Sequence, residues 1–168
     1  ISSGTEYLFY IIFKLFNNKI YGLENPCHKM FKELFLTNNV SFKAISLDEA
    51  GIVVEELKEY NVNIAYVTPS HQFPTGTIMS ISRRTELLNW ANENPDRYIV
   101  EDDYDSEFKY TGRPIPALKA TDINDKVIYL GSFSKSISPA IRVSYLVLPK
   151  ALLNIYQRKL PYFICPVP

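Results

Sequence analysis

Apolar positions along the chain alternate between two periods, one helical and one extended. Glu6 to Phe16 is apolar nearly all round, which predicts a buried helix led in by the turn-like Ser2-Ser3-Gly4-Thr5. Pro26 opens a shorter amphipathic helix in which Met30, Phe31, Leu34 and Phe35 share a face. Val40 to Ser46 reads as a strand, with Val40, Phe42 and Ala44 alternating against Ser41 and Lys43. Helical spacing then returns from Asp48 to Tyr60 through Val53, Leu57 and Tyr60.

The run Asn63 to Thr68, ended by Pro69, predicts a buried strand. Ser80 or Ser82 caps a helix that continues through Leu87, Leu88 and Ala91 to Asn94-Pro95. Further strands are expected at Tyr98 to Val100, Val127 to Leu130 and Val143 to Leu148, with a last helix from Ala151 to about Leu160. Lys109 to Asp125, which holds Gly112, Pro114 and Pro116, reads as a long loop. Strands alternating with helices imply an α/β fold, a mostly parallel sheet with helices on both faces. Sites in such sheets lie at the carboxyl ends of the strands, where every motif below falls.

Composition narrows the classes. The 168 residues fit one domain, and 46% hydrophobic against 21% charged residues is the balance of a globular core. Eighteen basic residues offset eighteen acidic ones, which argues against a nucleic-acid-binding surface in this segment. The longest apolar run, Tyr7 to Phe13, is far short of the roughly 20 residues that span a bilayer. Cys27 and Cys165 are too few for a disulfide scaffold or a thiolate zinc site, and a buried free thiol is the expectation for each. His28 with His71 is likewise too little for zinc. The chain has no initiator Met and stops at Pro168, so both ends read as cut from a longer protein.

Four features carry candidate chemistry. Gly131-Ser132-Phe133-Ser134-Lys135 directly follows a strand. A lysine there can face a cleft and condense with an aldehyde, while the serines and backbone N–H groups hold a phosphate. A turn with a solvated lysine is the plainer alternative. The same string matches S-x-x-K of penicillin-binding enzymes, but S-D-N and K-T-G are both missing from the chain.

Glu101-Asp102-Asp103-Tyr104-Asp105 packs four carboxylates at a strand end, costly unless they meet a cation. One Asp suits a protonated ring nitrogen and Tyr104 a ring oxygen; a charged loop in water is the alternative for Glu101, Asp103 and Asp105. Ser3-Gly4-Thr5, at a helix start, is either a phosphate cup or an ordinary cap. Arg142 is either a phosphate clamp or a surface ion-pair partner. Phosphate holders (Gly4, Thr5, Ser132, Ser134, Arg142), an aldehyde trap (Lys135) and an acid for a ring nitrogen (Asp102) are together the parts that bind pyridoxal 5'-phosphate.

Three strings carry a family resemblance: Thr68-Pro69-Ser70-His71-Gln72-Phe73-Pro74-Thr75-Gly76, Glu101 to Phe108, and Gly131 to Lys135. They resemble the fold type I aminotransferases, and more narrowly the aminotransferase-like domain of MocR-type regulators in the GntR superfamily. The match runs from Ser3 to about Pro149.

The resemblance implies that the chain is a piece of the pyridoxal-phosphate-binding large domain. It makes Lys135 the lysine bonded to the cofactor aldehyde, Asp102 the partner of the pyridine nitrogen and Tyr104 the donor to the ring hydroxyl. Ser132, Ser134 and Arg142 become phosphate ligands, beside the Gly4-Thr5 turn. His28 falls where the family has an aromatic stacked on the ring, with a His packed at a helix start as the alternative.

One departure stands out. Aminotransferases have Asn-Pro-Thr-Gly where this chain has Phe73-Pro74-Thr75-Gly76, and Phe73 cannot donate to the ring hydroxyl. His71 or Gln72 could substitute, or Tyr104 could act alone. The difference favours a regulator.

The resemblance therefore implies an effector-sensing domain whose ligand is a small amino compound, in a cytoplasmic homodimer that reaches DNA through a winged helix preceding Ile1. Its alternative is a working aminotransferase, completed by a C-terminal small domain. Arg83-Arg84 is expected on a solvated helix face, Trp90 in packing, and Arg113-Pro114-Ile115-Pro116 in a rigid loop.

Overall fold

The computed structural model describes residues 1–105 and 115–163. Ser106 to Pro114 and Ile164 to Pro168, which include Phe108, Arg113 and Cys165, lie outside the described residues.

Seven strands form one sheet in the order β3-β2-β1-β4-β5-β6-β7. They are β1 (Tyr21–Asn25), β2 (Phe42–Asp48), β3 (Gly51–Ile52), β4 (Ile64–Val67), β5 (Tyr98–Asp103), β6 (Val127–Ser132) and β7 (Ser144–Val147). All pairs from β2 to β6 are parallel, and the two edges, β3 and β7, run antiparallel. The helices are α1 (Thr5–Leu15), α2 (Lys29–Thr37), α3 (Val54–Glu59), α4 (Ile81–Asn92), α5 (Leu118–Thr121) and α6 (Lys150–Lys159).

Two apolar layers sandwich the sheet. Helices α1, α2 and α6 cover the face that presents Leu23, Ile64, Tyr66, Val100, Ile128 and Leu130. Helices α3, α4 and α5 cover the other face, with Ala65, Val67, Ile99 and Val127. The alternation along β4 and β5 follows from the two-residue period of a strand. It also decides which side chains reach which side at the strand ends.

Several expectations are corrected. β1 was not anticipated: Tyr-Gly-Leu-Glu-Asn has no alternation and poor strand formers, yet four of its five residues are buried. Its Gly22 is required by packing, since a Cβ there would stand 2.7 Å from Leu57 Cδ2. The helix expected from Asp48 begins only at Val54. Asp48 Oδ1 accepts from Ala50 N at 2.8 Å, and Gly51 takes φ +122, so the chain turns back into β3 instead.

In β2 the expected alternation holds for Val40 and Phe42, which pack on the core, against the exposed Ser41 and Lys43, but Ala44 is exposed and Ile45 is buried on the other face. Helix α1 buries Leu8, Phe9, Ile11, Ile12 and Leu15 but leaves Tyr7 and Tyr10 half exposed. The region read as a long loop contains α5, because Glu101 accepts from the Leu118 and Lys119 N–H groups at 2.7 and 2.9 Å and caps it.

The arginine pair is not solvated. Arg84 is 5% exposed and donates to the carbonyls of Pro69, Met79 and Pro116 at 2.7, 3.1 and 2.9 Å. It thereby pegs both ends of the segment between β4 and α4. Arg83 pairs with Asp48 and Glu86 at 2.7 and 2.9 Å and donates to Ile52 O. Trp90 is fully buried in the second apolar layer, as its helical position predicts.

Candidate active site

The strand order reverses between β1 and β4: the chain moves outward from β1 to β2 and β3, then returns to β1's other side. Such a switch point leaves a crevice beyond the carboxyl ends of the strands. A cleft of about 360 Å³ lies there. The nine residues singled out from the sequence (Gly4, Thr5, His28, Asp102, Tyr104, Ser132, Ser134, Lys135 and Arg142) all line it.

β5 and β6 supply the centre. Asp102 follows Val100 on the α1 side of the sheet, whereas Glu101 and Asp103 project to the other side with Ile99. Of the acidic string, Asp102 and Tyr104 therefore reach the cleft. Glu101, Asp103 and Asp105 are buried, which overturns the reading of a charged loop in water.

Asp102 is 7% exposed and its Oδ2 accepts from Tyr66 OH at 2.7 Å. Burial raises its carboxyl to about 6 despite that hydrogen bond. Tyr66 stays neutral, its hydroxyl pushed up first by burial and then by the Asp102 charge. A buried carboxylate with one oxygen held by a neutral donor is poised for a cation. Tyr104 OH donates to His71 O at 2.8 Å, and burial raises its hydroxyl to about 12.

The anion-holding side is assembled by an antiparallel bridge. Ser2 and Ser144 exchange both backbone hydrogen bonds at 2.8 Å, sewing the start of α1 onto β7. Gly4 (φ +122) caps α1 beside Arg142, so the helix's unpaired N–H groups, the guanidinium, Ser132 and Ser134 converge. A Cβ at Gly4 would crowd the Arg142 guanidinium. Ser132 Oγ accepts from Ser134 N at 3.2 Å and stands 3.2 Å from Ser144 Oγ. Arg142 lies just before β7, in left-handed backbone (φ 51), and donates to Glu6 Oε2 at 3.2 Å.

His28 stands at a helix start, as one of its two readings has it. It caps α2, with Nδ1 accepting from Met30 N at 3.2 Å, and its ring lines the cleft 5.1 Å from the Phe73 ring. Of the three candidates to replace the missing Asn, only Tyr104 lines the cleft. The Gln72 amide is spent on Pro26 O, Phe73 O and Thr75, and His71 Nδ1 lies 2.8 Å from Asp105.

Sequence reasoning missed Glu24, a 2% exposed carboxylate at the end of the unanticipated β1. Its Oε2 accepts from Thr68 N and Oγ1 at 3.2 and 2.6 Å, across the switch point. Burial raises it to about 7, and Asp102 adds to the rise. Cys27 is a cleft residue rather than a buried thiol, its pKa raised by burial and then by Glu24. No three His, Cys, Asp or Glu among the described residues are grouped to hold a metal.

The comparisons with known proteins agree with this geometry. The chain is 46% identical over 155 residues to the uncharacterized HTH-type transcriptional regulator YdeL of Bacillus subtilis, covering 92% of this chain and 33% of that protein. It is 33% identical over 136 residues to the probable rhizopine catabolism regulatory protein MocR of Rhizobium meliloti, covering 81% and 27%. Among solved structures, the multiple substrate aminotransferase of Thermococcus profundus superposes with a TM-score of 0.84 at 32% identity, over 98% of this chain and 43% of that one.

Over most of its length the chain is similar to one part of HTH-type transcriptional regulators, MocR among them. Its fold is that of the fold type I aminotransferases. It spans about a third of the length of the curated relatives it matches. No protein-family model matches it. No helix among the described residues is long and apolar enough to cross a membrane.

Proposed function

We propose that this domain binds pyridoxal 5'-phosphate and reports the arrival of an amino compound to a DNA-binding domain elsewhere in a dimeric, cytoplasmic regulator. The winged helix and the small domain would lie outside the chain. The observation that carries the reading is a single cleft in which Lys135, Asp102 and an anion-holding set meet at the switch point of the sheet.

The residues present fit the cofactor. At φ +122 Gly4 takes a backbone that side chains rarely adopt and leaves room beside Arg142, which suits a phosphate held by N–H groups, Ser132, Ser134 and Arg142. The buried Asp102 carboxylate suits a ring N–H⁺, whose charge would hold it ionised. Bound there, pyridoxal phosphate supplies an aldehyde that condenses with amines and a ring that withdraws electrons while its nitrogen is protonated.

Each remaining role belongs to a residue of this chain. Lys135 Nζ would be the amine that holds the cofactor and that an incoming amino compound would displace. Tyr104 OH, once turned from His71 O, would be the donor for the ring hydroxyl, and His28 and Phe73 line the mouth of the cleft.

Transfer of an amino group is the second reading, favoured by the likeness to the Thermococcus profundus aminotransferase. The full-length protein mixed with pyridoxal phosphate is expected to show a visible absorbance band that shifts on adding amino compounds. Lys135→Ala is expected to abolish it while leaving the far-UV circular dichroism unchanged. An identical band in that variant overturns the assignment. Stoichiometric turnover of a 2-oxo acid to an amino acid would transfer the conclusion to the enzyme reading.

A further inference from the structure

Lys135 has a partner on the protein that its proposed role does not require. Nζ donates to Asp105 Oδ2 at 3.1 Å and stands 4.9 Å from the centre of the Tyr104 ring. The same carboxylate oxygen lies 2.8 Å from His71 Nδ1. Asp105 is 5% exposed, whereas the Lys135 and His71 side chains are 51% and 47% exposed. A carboxylate that deep is costly unless donors meet it, and these two do.

The trio is a product of the topology. Its members follow three neighbouring parallel strands, β4, β5 and β6, and Asp103 is in register with Gly131 just before Asp105 and Lys135. The Tyr104 OH bond to His71 O fixes the third member against the second. Asp105 itself does not line the cleft; it stands behind the lysine.

We propose that Asp105, braced by His71, is the seat of Lys135 whenever the lysine amine is not bonded to a ligand. Asp105 is then a positioning residue: it keeps the amine at the mouth of the cleft rather than loose in water, and it competes with any ligand for the same nitrogen. The seat connects to the effector reading through His71, two residues before Phe73, whose ring lines the cleft. When Lys135 leaves, His71 remains as the carboxylate's partner, so the segment after β4 senses whether the lysine is engaged. This consequence rests on the pyridoxal phosphate reading, but the seat itself does not.

The test is competitive labelling of amines in the full-length protein, freed of cofactor, with trace acetic anhydride and peptide mass spectrometry. Lys135 is expected to label about two- to fivefold faster in Asp105→Asn than in wild type, the size of a half-exposed ion pair. His71→Ala is expected to give a smaller rise. Lys14 and Lys150, both exposed, should label at the wild-type rate in every variant.

Should Asp105→Asn fail to fold, wild type alone decides, because a seated Lys135 must label more slowly than Lys150. Lys135 labelling that is unchanged in both folded variants, or as fast as Lys150 in wild type, overturns the proposal. The labelling uses no cofactor, so its failure is distinct from loss of the visible band.

Discussion

Replacing Asp102 by Asn should move stability and affinity in opposite directions. Burial lifts this carboxyl from the ordinary 3.8 to about 6, so the folded chain binds its proton more tightly than the unfolded chain does. With the native pKa raised, stability falls as pH rises through the window between those values, and the loss is complete above it. A shift of that size corresponds to roughly 3 kcal/mol.

Asn carries no charge to desolvate, and its amide oxygen can still accept from Tyr66 OH. The cofactor-free D102N protein should therefore gain on wild type by on the order of 3 kcal/mol between about pH 4 and about pH 8. Glu24 and Glu101, both raised to about 7, titrate in both proteins and largely drop out of the difference.

Affinity for pyridoxal phosphate should weaken by about ten- to hundredfold, the worth of a hydrogen bond to a charged group. Urea titrations across that pH range and equilibrium binding by absorbance check the two arms. A D102N curve parallel to wild type at all pH values would refute the burial argument. Unchanged affinity would refute the pairing with a ring nitrogen.

Two further outcomes are expected. Arg142→Ala should weaken pyridoxal phosphate binding by roughly ten- to hundredfold, less so at high salt, while Arg142→Lys keeps part of the affinity; titration at two ionic strengths checks it. Arg84→Met should strip donors from three carbonyl oxygens and destabilise the fold by about 2–5 kcal/mol, read as a shift in the urea midpoint at unchanged slope.

The order of the parts and their chemistry were legible in the chain. The apolar strings at Ile64 to Val67, Tyr98 to Val100 and Val127 to Leu130 are buried strands whose period is local. The residues just beyond them, Asp102, Tyr104, Ser132 and Lys135, inherit their place at a strand's carboxyl end. Identity and spacing alone therefore named them.

What depended on distant neighbours was not legible. Tyr21 to Asn25 is a strand because two others flank it and Leu57 packs against Gly22, not because its residues favour extension. Arg84 looks like a surface arginine until the carbonyls of Pro69 and Pro116, far away in sequence, close around it. Glu24 meets Thr68, and Asp105 meets both His71 and Lys135, only once the strand order sets β1, β4, β5 and β6 side by side. Periodicity is written residue by residue, whereas which strands become neighbours is settled by burying two apolar faces at once, and only the folded chain makes that choice.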